Sequence, residues 1–194
     1  ILTISSGDDF VPNKIAELCG FTVRRNSEYN YNYQYYDNST GRVIHTKDFF
    51  KDIPEMIDCY SRDKKIPMEY MINDYQTRIE LMRGLMDTDG SIASRDDNRF
   101  NISYSSCSKR LLEQIQELIW GFGFMAKIHT DKRMWKYVGG FCGSLSIRVP
   151  QSFKQNIFTH PRKYKIALDA ANMPETKQLF EDLRIKDIKF IKKG

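Results

Sequence analysis

Between Arg78 and Ser91 the chain reads R-I-E-L-M-R-G-L-M-D-T-D-G-S, a stretch that constrains the fold because it asks for one helix buried on two sides. Leu81, Gly84, Leu85 and Thr88 recur at i, i+3, i+4 and i+7 as a stripe of apolar and small residues, and Ile79, Met82 and Met86 make a second stripe around the same cylinder. Glycine in a helix interior costs about 1 kcal/mol relative to alanine, so Gly84 predicts the close approach of another backbone at that point. Asp89-Gly90 ends the helix, with Gly90 expected in the left-handed position after the last turn. A carboxylate there faces unpaired carbonyls at the negative end of the helix dipole, which is unfavourable unless a cation joins it. Such an oxygen-rich cluster suits a hard ion such as Mg2+.

Met82 to Gly90, M-R-G-L-M-D-T-D-G, resembles the LAGLIDADG or dodecapeptide motif of the homing endonucleases, with Met in the first place, Arg in the second and Thr in the seventh. Lys64-Lys65-Ile66-Pro67 resembles the K-x-I-P element that precedes the second of two motifs in endonuclease domains carried inside inteins. The resemblance implies a mixed α+β (α/β) fold of two pseudo-symmetric αββαββα-like lobes that form a DNA-binding saddle, with two motif helices side by side at the pseudo-twofold axis. It also implies that Asp89 is the metal ligand and acid of the second half, that Asp87 has a more structural part, and that Lys64 is the active-site lysine of the first half. The family places another active-site lysine after the last strands of each half, a region that here reads His160-Pro161-Arg162-Lys163-Tyr164-Lys165. Lys165 and Lys163 both remain candidates, Lys165 ranking first. On the residues alone, Pro67 is also a first-turn proline for a helix running to Tyr70 or Met71.

The chain repeats itself weakly. Ile4-Ser5-Ser6-Gly7-Asp8, then Val11, Ile15, Leu18 and Gly20-Phe21, parallels Tyr104-Ser105-Ser106-Cys107-Ser108, then Leu111, Ile115, Leu118 and Gly123-Phe124. Each half predicts strand, helix, Gly-Phe turn and strands. The second copy follows the Asp-Gly motif, whereas the first begins near Ile1, so the first motif helix is expected in a segment outside this sequence. The expected division is a first lobe over 1–73, a second lobe with the motif helix over 74–174, and a helix and strand over 175–194 leading toward a splicing domain. Duplication within one chain favours a monomer over a homodimer.

With 194 residues, 41% hydrophobic and 28% charged, the chain is large enough for one sizeable domain or two small lobes. No apolar run approaches a membrane span and no secretory signal is visible, which points to an intracellular protein with access to DNA. A net charge of +5 is compatible with a polyanionic partner. Cys19, Cys59, Cys107 and Cys142 show no C-x-x-C spacing, and His45, His129 and His160 show no metal-ligand or nuclease spacing.

Tyr29 to Tyr36 alternates strictly, with Tyr29, Tyr31, Tyr33 and Tyr35 on one face and Asn30, Asn32 and Gln34 on the other. Asparagine and glutamine are good partners for adenine in the major groove, and solvation is the plain alternative for such a polar face. Ser91 to Ser105 predicts a hairpin turning near Asp96-Asp97-Asn98, and Leu145 to Val149 predicts a strand with Ser144, Ser146 and Arg148 on its polar side. Basic residues that would meet phosphate are Arg24, Arg25, Arg95, Arg99, Lys127, Lys132, Arg133 and Lys136. The resemblance then implies Mg2+-dependent double-strand cleavage of DNA at a specific site. Other classes compatible with the chain are a DNA-binding relic or regulator of the same fold and an RNA-splicing maturase.

Overall fold

The duplicated pattern is realised as two antiparallel sheets that repeat one strand order. The structure is a computed structural model and describes residues 3–25, 32–44, 48, 51, 59–94, 100–132 and 140–173. In the first half, β1 (Thr3–Ser5), α1 (Phe10–Cys19), β2 (Phe21–Arg25) and β3 (Asn32–Asp37) form a sheet ordered β1-β3-β2. The second half starts with α2 (Met68–Met71), α3 (Tyr75–Thr88) and β4 (Gly90–Ser94). It continues through β5 (Phe100–Ser106), α4 (Lys109–Gly121), β6 (Met125–Thr130) and β7 (Gly143–Arg148), and the sheet is ordered β4-β5-β7-β6. A 3-10 segment, Gln151–Asn156, leads into α5 (Pro161–Ala171).

Strands β5, β6 and β7 with α4 reproduce β1, β2 and β3 with α1, and β4 adds a fourth strand beside β5. The glycine that ends each repeated helix has φ > 0, 68° at Gly20 and 79° at Gly123, a conformation that closes the last turn and leads the chain into the next strand. At Gly123 the turn is closed by its N–H to Trp120 O at 2.8 Å and by Phe124 N–H to Ile119 O at 3.1 Å.

The motif helix is α3. Asp74 caps its start, accepting from Thr77 N–H at 3.0 Å and from the Thr77 hydroxyl at 2.8 Å. Its stripe of Ile79, Met82 and Met86 enters the core with Leu111, Leu112, Ile115, Leu118 and Ile119 of α4 and Ile102, Leu145 and Ile147 of the sheet. Arg83 ties α3 to the 3-10 segment by donating Nε–H to Asn156 O at 2.7 Å. The other stripe is packed only in part, Leu81 and Leu85 lying against the edge of the core. Gly84 and Thr88 are exposed and Leu81 and Leu85 half-buried, and a Cβ built on Gly84 meets nothing within 4 Å. No backbone among the described residues makes the close approach predicted at Gly84.

Gly90 differs from expectation. It is not among the glycines with φ > 0 but is the first residue of β4, and its smallness serves a steric purpose. A Cβ there would lie 2.5 Å from Met86 O and 2.6 Å from Met86 Cα, so the strand leaves the helix by passing directly over its last turn. Pro67 likewise sits one place earlier than expected, as the N-cap of α2. Strands β4 and β5 pair as the predicted hairpin, whose turn, residues 95–99, lies outside the described residues. So does everything from 174 to 194, including the expected closing helix and strand. The four cysteines are free thiols, and no described helix is long and apolar enough to cross a membrane.

Replacing Gly90 by alanine should destabilise the fold by about 1–3 kcal/mol, because backbone cannot yield to the new methyl as a side-chain tip would. Chemical denaturation of the Gly90→Ala protein measures this, and parental stability would mean that the chain clears Met86 by another route.

Candidate active site at the helix–strand joint

Asp89 stands between the last turn of α3 and the first residue of β4. Its N–H still bonds Leu85 O at 3.1 Å, its φ is −100°, and its side chain is exposed. Register places Gly90 opposite Tyr104 of β5, and from there the Tyr104 hydroxyl reaches Asp89 Oδ2 at 3.4 Å. The ring of Tyr104 is buried. Burial, together with the Asp89 carboxylate, pushes its hydroxyl well above the usual tyrosine range, so it stays a donor.

The end of a helix leaves four carbonyls without partners. Here Leu85 O takes Asp89 N–H and the Thr88 hydroxyl at 2.9 Å. The other three converge on one ammonium. Lys163 Nζ, from the first turn of α5, donates to Met86 O at 2.9 Å, Asp87 O at 2.7 Å and Thr88 O at 3.2 Å. Burial pulls this ammonium below the usual lysine range, with the Asp87 carboxylate working in the opposite direction. The cation that the helix end asks for is therefore Lys163.

Asp87 returns the favour. Its buried carboxylate accepts from Thr159 N–H at 2.9 Å, from the Thr159 hydroxyl and from His160 N–H at 3.0 Å, which fixes the two residues that lead into α5. His160 is buried, its Nε2 lies 2.7 Å from Asp8 Oδ2 in the first half, and its ring packs on Phe10 at 4.9 Å between centroids. Burial would raise the Asp8 carboxyl, but hydrogen bonds from His160 and from Phe10 N–H outweigh it and hold it below the usual range.

Lys165, two residues beyond Lys163, lies about 200° further around the helix and is exposed, so the two do not share a face. The signal that separates them is present in the sequence: Lys163, Ala167 and Ala170 recur at i, i+4 and i+7 and are the buried residues of α5. Lys64 also has an exposed side chain, but its backbone is fixed. Lys64 O accepts from the Ser108 hydroxyl at 2.6 Å, and Gln114 brackets Ile66 with bonds of 2.8 Å from its N–H and 2.7 Å to its carbonyl. Strand β5, which brings Tyr104 to Asp89, thus leads within four residues to the group that holds Lys64.

Of the interface candidates, Ser146 and Lys127 fall in one row across the second sheet, Ser91-Ser103-Ser146-Lys127. Ser144 lies in the next such row, Ser105-Ser144-His129, and Arg148 pairs with Met125. These positions alternate with the core residues Ile102, Tyr104, Leu145 and Ile147, so the sheet has one apolar and one polar face. In the first sheet Gln34 pairs with Thr3 and Arg24, Asn32 pairs with Ser5, and Arg25 pairs with Tyr33 in the alternate register. Arg25 and Lys132 have exposed side chains. Asn30, Arg95, Arg99, Arg133 and Lys136 lie outside the described residues. Tyr104 was not singled out by sequence, since its meaning depends on the β4–β5 register.

Tyr104 gives the site a signature in pH. A folded-state pKa raised above the unfolded value near 10 means that the folded chain keeps its proton while the unfolded chain loses it, so stability is full below about pH 10 and falls above it. Tyr104→Phe should remove that part of the alkaline loss. Denaturation of both proteins from neutral to alkaline pH measures the difference, and parallel profiles would place the Tyr104 hydroxyl in a solvated position instead.

Residues 76–148 match the LAGLIDADG-like domain family. An ATP-dependent DNA helicase, Hel308 of Thermococcus kodakarensis, is 34% identical over 89 residues, which is 45% of this chain and 8% of the helicase. Among solved structures, I-DmoI in complex with DNA and Ca superposes with a TM-score of 0.53 at 16% identity, covering 86% of this chain and 81% of that one. Mesophilic variants of the homing endonuclease I-DmoI give 0.52 at 16% identity, covering 87% and 82%. Residues 76–148 are thus similar to a LAGLIDADG-like domain, and the chain has the fold of the homing endonuclease I-DmoI.

Proposed function

We propose that this chain is the DNA-cleaving part of a site-specific homing endonuclease, making a double-strand break by metal-dependent phosphodiester hydrolysis. The observation that carries this reading is the joint at Asp89: an exposed carboxylate ends the motif helix, a buried tyrosine hydroxyl reaches one of its oxygens, and the space over Gly84 and Thr88 on the same helix is open among the described residues.

The site suits a hard divalent cation, which takes one or two carboxylates and keeps several waters. Among the described residues no group of three potential ligands exists, and on this reading Asp89 supplies one ligand and a second motif helix supplies another acid. The stripe of Leu81, Gly84, Leu85 and Thr88 is the surface on which a second motif helix would deliver it. When bound, Mg2+ would polarise the scissile phosphate and lower the pKa of an attacking water. Asp89 holds the ion, and Tyr104 orients Asp89. Lys64, carried on a backbone pinned by Ser108 and Gln114, balances charge developing on the phosphate of one strand, and Lys165, exposed on α5, is the candidate for the other. Duplex DNA lies on the polar faces of the two sheets. There Asn32, Gln34, Ser144 and Ser146 meet base edges, and Arg24, Arg25, Lys127, Lys132 and Arg148 meet backbone phosphates, joined by Asn30, Arg95, Arg99, Arg133 and Lys136.

The match to 8% of a helicase's length is in keeping with an intein-carried origin, since insertion places a short unrelated segment inside a longer host chain. On that reading the protein works inside the cell, as a monomer built on internal pseudo-symmetry, with a splicing domain in the same polypeptide.

Asp89→Asn in the full-length protein should abolish cleavage of a target recovered from a randomised library while leaving affinity within about tenfold, or 1.4 kcal/mol. Normal cleavage would remove Asp89 from the chemistry, and a parent that binds DNA without cutting would favour the binder of the same fold. The helix face has its own test. Gly84→Leu in the full-length protein should cost about 1–3 kcal/mol and impair cleavage further, since a second helix has to cross there. A fully active, equally stable Leu variant would show that nothing packs on Gly84.

A further inference from the structure

We infer that Lys163 is a positioning residue for the Asp89 carboxylate: by closing the end of helix α3 it sets where that carboxylate stands, and it touches neither DNA nor the reacting atoms. The inference rests on the reading of Asp89 as a cation ligand and assigns Lys163 a different task from that of an active-site lysine.

The first ground is accounting. An ammonium has three protons, and the three carbonyls within 3.2 Å of Lys163 Nζ, those of Met86, Asp87 and Thr88, use all of them. No donor remains for a phosphate or a water. The second ground is how the helix ends. A left-handed glycine would have closed the last turn with backbone N–H groups, and the equivalent turns after α1 and α4 use one. At Gly90 the chain instead runs straight into β4, so no backbone N–H among the described residues ties down the last three carbonyls. Lys163 supplies what that backbone turn would have supplied, and Asp89 is the residue that follows the tied carbonyls.

The third ground is reciprocity. Asp87, between two of those carbonyls, holds the two residues that lead into the helix that bears Lys163, so the end of α3 and the entry to α5 hold each other in place. A clasp of this kind fixes the position of the joint from outside α3. Tyr104 then fixes the rotation of the side chain from the sheet. Carbonyl ends freed from the ammonium would take water, the last turn would fray, and the Asp89 carboxylate would be shared among several positions.

The test uses full-length protein and a duplex carrying its selected site. Thermal unfolding is followed without metal, DNA affinity is followed against Ca2+, and cleavage is followed against Mg2+. Lys163→Met should unfold at lower temperature and need about 10- to 100-fold more Ca2+ for half-maximal tightening of DNA binding, the range typical when a group supporting a metal ligand is lost. Half-maximal cleavage should need correspondingly more Mg2+, with the rate at saturating Mg2+ within about threefold of the parent. Cleavage lost at every Mg2+ concentration with a parental Ca2+ requirement would overturn the inference, because Lys163 would then act on the reacting atoms. A parental requirement for both metals would overturn it too, reducing the clasp to a matter of stability alone. If the Met variant does not fold, Asp87→Asn loosens the same clasp from its other side and must show the same shift in Ca2+ requirement, a parental value there being fatal. Asp89→Asn, run in parallel, separates the two readings. Parental cleavage by Asp89→Asn defeats the assignment of Asp89, whereas its inactivity beside a Lys163→Met protein with parental metal requirements defeats the positioning role alone.

Discussion

One lysine ammonium shared among three carbonyls holds the site together. Helix α3 must stop abruptly, because the residue after it carries the carboxylate and the residue after that begins a strand. Such a stop leaves backbone acceptors bare in a buried place, where an unmet acceptor costs about 1–3 kcal/mol. Lys163 meets them from α5, and α5 is in turn anchored by Asp87 of α3. Lys163 satisfies the end of α3 and Asp87 holds the two residues that lead into α5, so the motif helix, the following hairpin and the last described helix form one unit.

That unit is also joined to the first half. His160, whose N–H binds Asp87, presents its ring to Asp8 in the turn before α1. Its Nδ1 is buried without a partner among the described residues, an arrangement that costs energy and is tolerated because the backbone and Nε2 contacts hold the ring in place. A line of contacts therefore runs from the turn after β1, through His160 and Asp87, to the joint at Asp89.

What the sequence made readable follows from period and spacing. The two stripes of α3 were visible because 3.6-residue periodicity is local, and the duplication was visible because both halves keep the same order of small, apolar and Gly-Phe positions. Gly20 and Gly123 end their helices at the Gly-Phe turns that the duplicated pattern predicts. The parts that sequence did not resolve depend on distant pairings. Tyr104 matters because it lies across from Gly90, which no single-strand pattern reveals. Gly90 itself could have been small for conformation or for space, and the two reasons look alike in letters; Met86 decides for space. Lys163 and Lys165 differ only in which side of one helix they occupy, and the helical spacing with Ala167 and Ala170 was the overlooked clue.

The polar face of the second sheet has a consequence for how this chain can change over time. Ser91, Ser103 and Ser146 sit side by side on three neighbouring strands, and their neighbours in sequence, not they, form the core. Surface substitutions away from core, caps and strained backbone usually alter stability by no more than about 0.5 kcal/mol. Mutation can therefore sample this row without endangering the fold, while the joint at Asp89 tolerates little. Drift and selection meet separate structural ledgers here: a permissive surface that can acquire new preferences, and a helix end whose every acceptor is already taken.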